Sequence, residues 1–438
     1  MNETALPFPT ADRLTSLARV TFFCCFILTM LDGMDVLVVS YAAPAISKEW
    51  GVAPQLLGAV FSAGLMGMAF GAMFLAPFAD KIGRRNMILI SATLMGGAIF
   101  CSAFSTSVTM LMVFRILSGM GIGSVLASTA TLAAEYAPAK TKDFWISLVQ
   151  AGYTMGAFLS GVAAQRVIPL YGWRALFQMA GCVTLAAAAF LFFFLPESLD
   201  FLLKTRPAGA LQKANALLVR MRAPTLDALP ALAQETKTKG SVRELFTEGR
   251  GAPTLFLCIA LFLTYATLYF LTSWIPKLAG AAGLPESLAI YAGAVFNLGA
   301  FAGILSQGYL STRFGLGRVV PIFLIASTLL METFGSFSGS AMVLVVLGWI
   351  GFTVQGGFIG FYSMAAKLYP TEIRATGVGW VLGVGRLGSI VGPLAGGYLV
   401  SRGTSMSLNF MIFGVPLLLA AAATLLIRLG RPLRQGFA

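Results

Sequence analysis

The sequence contains no histidine and very little charge. Of its 438 residues only 11% are Asp, Glu, Lys or Arg, whereas 58% are hydrophobic and the mean hydropathy is +0.84. Soluble globular domains have about 25% charged residues, so the composition excludes an ordinary soluble protein and indicates a chain that crosses a membrane many times. Histidine is the side chain that most often exchanges protons near neutral pH. Without it, carboxylates are the natural proton carriers.

Other chemistries are absent from the sequence as well. The five cysteines lie in apolar stretches without the spacing of a metal site, so we interpret them as small packing residues. There is no phosphate-binding glycine loop of the P-loop type and no catalytic constellation built on a nucleophile or a metal. We therefore expect neither an enzyme nor an ATP-driven transporter, and no cofactor or metal. The polar N-terminal stretch MNETALPFPTADRLTSLARV leads into a full-length span, so no cleavable signal peptide is expected.

Charge-poor segments of about 20 residues, the length needed to cross a bilayer, occur throughout the chain. We predict twelve spans, at residues 19–43, 54–78, 87–106, 108–132, 144–166, 174–195, 252–275, 288–312, 318–338, 341–365, 374–400 and 405–428. With both termini in the cytoplasm, most Lys and Arg fall in cytoplasmic loops, as the positive-inside rule requires. Membrane topology thus explains the net charge of +13 and leaves little reason to infer nucleic-acid binding.

The two halves of the chain match each other at an offset of about 232 residues. At this offset Pro44 meets Pro276, Gly156 meets Gly388, and the loop segment DKIG meets TRFG. Chance matches would not keep one offset over five spans. We therefore predict two parallel repeats related by an axis along the membrane normal, with a substrate site between them near the midplane.

The longest polar stretch separates these halves. Part of it, from Ala208 to Met221, has the pattern of a short amphipathic surface helix. The predicted domains are an N-terminal six-helix bundle at 1–196, a cytoplasmic linker at 197–251 and a C-terminal six-helix bundle at 252–438.

Several motifs resemble the major facilitator superfamily. ADKIGRR, from Ala79 to Arg85, resembles its loop signature between spans two and three, although Ala76 stands where that signature usually opens with glycine. RILSGMGIG, in which Arg115 precedes three spaced glycines, matches its fourth-span pattern. The resemblance covers nearly the whole chain. It implies an all-α membrane protein with twelve transmembrane helices in two pseudo-symmetric six-helix bundles.

A narrower resemblance points to a substrate class. DGMD, which ends at Asp35, looks like the D-G-x-D signature of the aromatic acid:proton symporters, and the stretch from Leu368 to Pro393 is similar to that family and to its organic-acid relatives. PESLDFL, which begins at Pro196, also resembles the end of span six in the sugar porters. The resemblance implies a proton-coupled importer of a hydroxybenzoate- or benzoate-like acid in the bacterial inner membrane. A symporter of a non-aromatic organic acid is the alternative, and a sugar porter fits less well because sugars need no buried arginine.

The first span carries two carboxylates. Asp32 and Asp35 are three residues apart, on one face of a helix, where charge is costly and usually functional. We predict that they couple transport to protons, since two close carboxyl groups titrate as a unit. Arg115 in span four needs a carboxylate partner, and one of these aspartates is expected. The structural alternatives are a first span that begins late and leaves the aspartates in cytoplasmic water, and an Arg115 that only clamps span four to its neighbours.

Charged residues near the predicted cytoplasmic ends of the spans suggest a gate. Carboxylates and basic loop residues are expected to pair there when the cytoplasmic mouth closes. The predicted gating residues are Asp80, Arg84, Glu135, Lys367 and Arg374, of which Glu135 and Lys367 occupy matching places in the repeats.

Arg386, near the middle of span eleven, is the predicted anchor for the substrate carboxylate. Its guanidinium offers a planar fork that matches a carboxylate, and glycines on either side leave room beside it. The alternative is a buried structural ion pair, with Glu332 as the candidate partner. Further predicted substrate-binding residues are Asn297, Gln355, Tyr153, Tyr265 and Tyr269, each of which has packing as its alternative role. The expected partners are a small aromatic acid, protons and membrane lipid, and the chain is expected to act as a monomer.

Overall fold

A computed structural model describes residues 15–138, 142–230, 242–247, 249–281, 284–334, 342–369 and 373–427. Its α-helices are α1 (Ser16–Trp50), α2 (Pro54–Phe70), α3 (Ala79–Ile82), α4 (Arg84–Ser102), α5 (Val108–Tyr136), α6 (Lys142–Phe194), α7 (Leu199–Thr205), α8 (Ala210–Arg220), α9 (Gly251–Ala281), α10 (Glu286–Phe314), α11 (Leu316–Thr333), α12 (Met342–Leu368), α13 (Arg374–Ser401) and α14 (Met406–Leu426). None of the described residues lies in a β-strand. The all-α fold class is confirmed.

Eleven helical segments in the described part of the chain are long and apolar enough to cross a membrane, judged by length and composition, and one of them runs through α2 and α3 from Pro54 to Ile82. Another of them, α6, has 53 residues. At about 1.5 Å per residue it exceeds twice the bilayer's hydrocarbon thickness of about 30 Å. The helix breaks at Gly172, whose φ of 79° and ψ of 170° are not helical, and its two arms cover the predicted spans 144–166 and 174–195. Each of the twelve predicted spans therefore overlaps one of these segments, and α6 takes two of them.

The helices group into two compact units. Unit 1 takes in α1 as far as Val38, then Ala63–Ala157, and the chain from Tyr171 into the linker. Unit 2 takes in Val39–Ser62, Phe158–Leu170 and the helices from α9 onward. Helices α1, α2 and α6 thus each contribute to both units. The predicted bundle boundaries follow the sequence repeat, and they stay a prediction.

Within unit 1, glycines let helices meet backbone to backbone. A Cβ at Gly67 would collide with the carbonyl oxygen of Ile116 in α5, and a Cβ at Gly119 would collide with that of Gly64 in α2. Small residues at such crossings are typical of membrane helices, which associate by close packing because lipid supplies no hydrophobic drive between them. The crossing of α2 and α5 therefore depends on glycine.

Unit 2 repeats these contacts at the predicted offset. Gly299 meets the carbonyl of Gly348, and Gly351 meets that of Phe296, which are the two contacts of unit 1 shifted by 232 positions. Two further contacts recur in the same way: Gly71 with Met120 returns as Gly303 with Phe352, and Gly156 with Met30 returns as Gly388 with Phe262. Four recurring backbone contacts confirm the internal repeat that the sequence predicts.

One contact in unit 2 joins two positions that match in the repeat. The Ser40 hydroxyl donates to the backbone carbonyls of Thr272 at 2.8 Å and Ser273 at 2.6 Å, and Ser40 and Thr272 are 232 residues apart. The contact lies in the C-terminal halves of α1 and α9, where Lys277 Nζ also donates to Ser47 Oγ at 2.7 Å.

The first part of the linker packs as part of unit 1. Helix α8 lies within the predicted amphipathic stretch 208–221. Its apolar residues Ala214 and Leu217 belong to the same core as Leu202 of α7 and Tyr136 of α5. This linker segment therefore contributes buried residues to the apolar core of unit 1.

Replacing Gly388 by Val should destabilise the protein. A Cβ at this position collides with the Phe262 carbonyl oxygen, and overpacking of this kind costs about 1–3 kcal/mol. Gly383→Val is the matched control on the same helix, because a Cβ at Gly383 has nothing within 4 Å. Thermal unfolding in detergent should give a lower midpoint for Gly388→Val alone. Equal midpoints for the two variants would contradict the close contact.

Candidate functional site

A buried ion pair joins α5 and α1 within unit 1. Nη1 of Arg115 lies 2.5 Å from Oδ1 of Asp35, and the two side chains are 3% and 0% exposed. Because burial removes both charges from water, each depends on the other for stabilisation. Ser118, one turn along α5, also interacts with Asp35. The expected pairing of Arg115 with an aspartate of the first span is confirmed, and its partner is Asp35.

Asp32 lies one turn before Asp35 on the same face of α1 and is also fully buried. Helix α1 begins at Ser16, about four turns earlier. The alternative in which the first span begins late and leaves both aspartates in cytoplasmic water is therefore wrong.

Two glycines bring neighbouring helices close to these aspartates. A Cβ at Gly64 of α2 would lie 3.1 Å from Nη2 of Arg115, and a Cβ at Gly33, between the two aspartates, would collide with the Tyr153 carbonyl of α6. The predicted substrate residue Tyr153 is thus held beside α1 through its backbone, and its side chain is half-buried. Sequence reasoning missed Gly64, whose role becomes visible only when α2 and α5 are placed together.

Unit 2 contains an aromatic cluster, which consists of Tyr265 and Tyr269 on α9 and Phe358 and Tyr362 on α12. The rings of Tyr265 and Tyr269 stack with centroids 5.8 Å apart. Phe358 meets Tyr265 edge-on at 4.7 Å and Tyr362 at 5.6 Å. The Tyr265 and Tyr362 hydroxyls are 3.0 Å apart and share a hydrogen bond. Tyr265 is 3% exposed, while Tyr269 and Tyr362 are half-buried.

Arg386 on α13 lies beside the aromatic cluster. At the preceding residue, Gly385, a Cβ would come within 2.7 Å of Leu261 and 3.0 Å of Tyr265. Arg386 is half-buried and interacts electrostatically with Tyr265. Glu332 is exposed, which does not fit the buried ion pair considered as the alternative. The structure therefore brings together the predicted substrate residues Tyr265, Tyr269 and Arg386.

The remaining predicted substrate residues of unit 2 differ in their surroundings. Asn297 is 2% exposed, its Nδ2 donates to the Gly293 carbonyl at 2.9 Å, and it interacts with Tyr41. Asn297 thus connects α10 to the C-terminal half of α1. Gln355 is 8% exposed and shares one face of α12 with Tyr362, since the two are seven positions apart. Gln355 therefore stays a candidate beside the aromatic cluster.

A charged cluster lies where α4, α5 and α7 meet in unit 1. Arg84 forms an ion pair with Glu135 and lies 3.8 Å from Asp200. The Ser198 hydroxyl donates to Oε2 of Glu135 at 2.7 Å, and Lys204 lies 3.2 Å from Asp200. Sequence reasoning gave no role to Ser198 or Asp200. A serine directly before a helix is a typical N-cap, and that signal could have drawn attention to Ser198.

Two other predicted gating residues, Asp80 and Lys367, are more exposed. Asp80 and Arg84 line one cavity of about 260 Å³, and the backbone carbonyl of Asp80 accepts a hydrogen bond from the Thr205 hydroxyl at 3.3 Å. Lys367 is exposed in the last turn of α12. Arg374 begins α13, but its side chain lies outside the described residues.

Comparisons with known proteins agree with this architecture. A sequence profile described as the Major Facilitator Superfamily matches residues 25–307 and 257–437. The 4-hydroxybenzoate transporter PcaK of Pseudomonas aeruginosa is 33% identical over 411 residues, which is 92% of this chain and 90% of that protein. The gallate transporter of Pseudomonas putida is 34% identical over 405 residues, with the same coverage of the two chains.

A solved structure supports the fold. The xylose transporter XylE from E. coli, in a partially occluded inward-open conformation, superposes with a TM-score of 0.73 at 16% identity, over 93% of this chain and 97% of that one. This likeness concerns the fold alone.

The profile match extends over both repeats, and the relatives align over nine-tenths of the chain. The chain therefore belongs to the Major Facilitator Superfamily.

Proposed function

We propose that this protein imports a small aromatic carboxylate together with protons across the bacterial inner membrane. The observation that carries the proposal is the Arg115–Asp35 ion pair, because ionisable residues inside membrane-crossing helices are costly and usually mark a transport pathway. The names of the relatives, a 4-hydroxybenzoate and a gallate transporter, support the substrate class. Cytoplasmic termini and a monomer surrounded by lipid belong to the same proposal.

The proton-coupling residues of the proposal are Asp32, Asp35 and Arg115. Protonation of Asp35 removes the charge that balances Arg115, so proton uptake weakens the contact between α1 and α5. Release of the proton restores it. Asp32 shares the buried face of α1, and two such carboxyl groups titrate as a unit. Proton binding is thereby linked to the strength of the contact between α1 and α5 in unit 1.

The substrate site of the proposal centres on Arg386 and the aromatic cluster. A carboxylate that leaves water needs a charge-assisted contact in exchange, and the guanidinium fork supplies two parallel donors. The half-buried Tyr269 and Tyr362 offer ring faces and edges to an aromatic substrate. Gln355 completes the set in unit 2.

The gating role of Asp80, Arg84, Glu135, Lys367 and Arg374 is the third part of the proposal. The ion pair of Arg84 with Glu135 connects the start of α4 to the end of α5, and Ser198 ties the linker to the same carboxylate. Breaking this pair frees the cytoplasmic end of α5 to move. An ion pair that forms in one conformation and breaks in another is suited to a conformational switch.

Replacing Asp35 or Asp32 by Asn should abolish most of the proton-driven accumulation. An amide of nearly the same shape cannot bind and release a proton, so we expect a loss of about tenfold or more. The measurement is uptake of radiolabelled 4-hydroxybenzoate by cells, with and without a protonophore, normalised to protein in the membrane. Asp227→Asn, an exposed linker change, is the control. Full uphill uptake by both variants would refute the proton role.

Arg386→Ala should remove binding of the acid, and Arg386→Lys should weaken it, because an ammonium is a point charge where a fork is needed. Binding of 4-hydroxybenzoate is measured on purified protein and normalised to the folded fraction. Arg402→Ala, at the end of α13, serves as the control for loss of one positive charge. Unchanged affinity in folded Arg386→Ala would move the anion site elsewhere, with Arg115 the next candidate.

A further inference from the structure

Two tyrosine hydroxyls are held together inside unit 2. Tyr265 on α9 and Tyr362 on α12 place their oxygens 3.0 Å apart. Phe358 braces both rings edge-on, with interplanar angles of 77° and 80°, and Tyr269 stacks on Tyr265 at an angle of 23°. Phenylalanines at these positions would fill the same space. The fixed position of the two hydroxyls therefore calls for a polar role.

This hydroxyl pair has hydrogen-bonding capacity to spare. Each tyrosine hydroxyl carries one proton and can also accept a hydrogen bond. The bond between Tyr265 and Tyr362 uses one of the two protons, whichever oxygen donates it. One O–H group and several lone pairs remain. Because Tyr265 is 3% exposed and Tyr362 is half-buried, this capacity is accessible at Tyr362.

The pair lies beside the anion-binding candidate. Arg386 interacts electrostatically with Tyr265, and Gly385 packs α13 directly against Leu261 and Tyr265. An acid whose carboxylate is held by Arg386 therefore has its ring next to the aromatic cluster. A group projecting from that ring can meet the tyrosine hydroxyls.

From this arrangement we infer that Tyr362, together with Tyr265, selects aromatic acids that carry a hydroxyl group on the ring. The inference rests on the proposed function and adds to it the specificity of the site. A ring hydroxyl donates to and accepts from the pair, so the spare capacity is satisfied. An unsubstituted ring displaces water and leaves a polar group unpaired, and sites of this kind reject the analogue that lacks the hydroxyl.

The test compares 4-hydroxybenzoate with benzoate, which differ only in the ring hydroxyl. Affinities for both are measured on the purified full chain, for the parent protein, for Tyr362→Phe and for the double variant Tyr265→Phe/Tyr362→Phe. We expect the parent to prefer 4-hydroxybenzoate by about tenfold or more. Both variants should bring this preference close to parity, chiefly by weakening binding of the hydroxylated acid.

Two controls keep the result interpretable. Tyr309→Phe, at a position 68% exposed on α10, should leave the preference unchanged. The double variant removes both hydroxyls, so no buried hydroxyl is left without its partner. The folding of every variant is monitored by thermal unfolding. The fraction of folded protein is used to normalise every affinity.

The outcomes separate the inference from the proposed function. An unchanged preference in the folded double variant overturns the inference, as does an equal loss of affinity for both acids. A parent protein that binds both acids equally well also overturns it, but leaves the proposed function standing. A parent protein that binds neither acid, nor any other aromatic acid, refutes the proposed function, and the inference falls with it.

Discussion

Neighbouring helices in this protein pack with their backbones in direct contact. The positions of the buried charged side chains depend on these close contacts. Lipid gives apolar helices no hydrophobic reason to associate, so close packing at small residues has to hold them. Gly64 and Gly119 set the crossing of α2 and α5, and Gly64 also leaves just enough space for the guanidinium of Arg115. Gly33 brings α6 against α1 between the two aspartates. The geometry of the buried charges is thus determined by positions that carry no charge.

The two repeats share this scaffold but differ in their chemistry. The position that matches Asp35 in the second repeat is Thr267, whose hydroxyl donates to the Phe413 carbonyl at 2.9 Å. Leu347 stands where the first repeat has Arg115. Conversely, Arg386 matches Thr154 in the first repeat. In the proposal, the proton-coupling residues therefore lie in unit 1 and the anchor for the substrate carboxylate lies in unit 2, and the repeat supplies both with the same helix crossings.

The sequence was sufficient to predict features that depend on short stretches of the chain or on its internal repeat. Hydropathy located the spans because each must be apolar over its own length, and the glycine pattern fixed the repeat offset. The partner class of Arg115 followed from the cost of a lone buried charge. The contact of Asn297 with Tyr41 and the link from Ser198 to Glu135 could not be predicted, because they depend on how helices distant in sequence are rotated about their axes. Composition carries no information on that rotation.

The central claim is that protons and an aromatic acid move together through this chain. Purified protein in liposomes, with a pH-sensitive dye inside, tests it most directly. An inward gradient of 4-hydroxybenzoate should acidify the lumen, and an inward proton gradient should drive uptake of the acid above its outside concentration. Protein-free liposomes measure the leak of the protonated acid through lipid. Acid uptake that exceeds this leak, with no proton entry and no response to the proton gradient, would contradict the account.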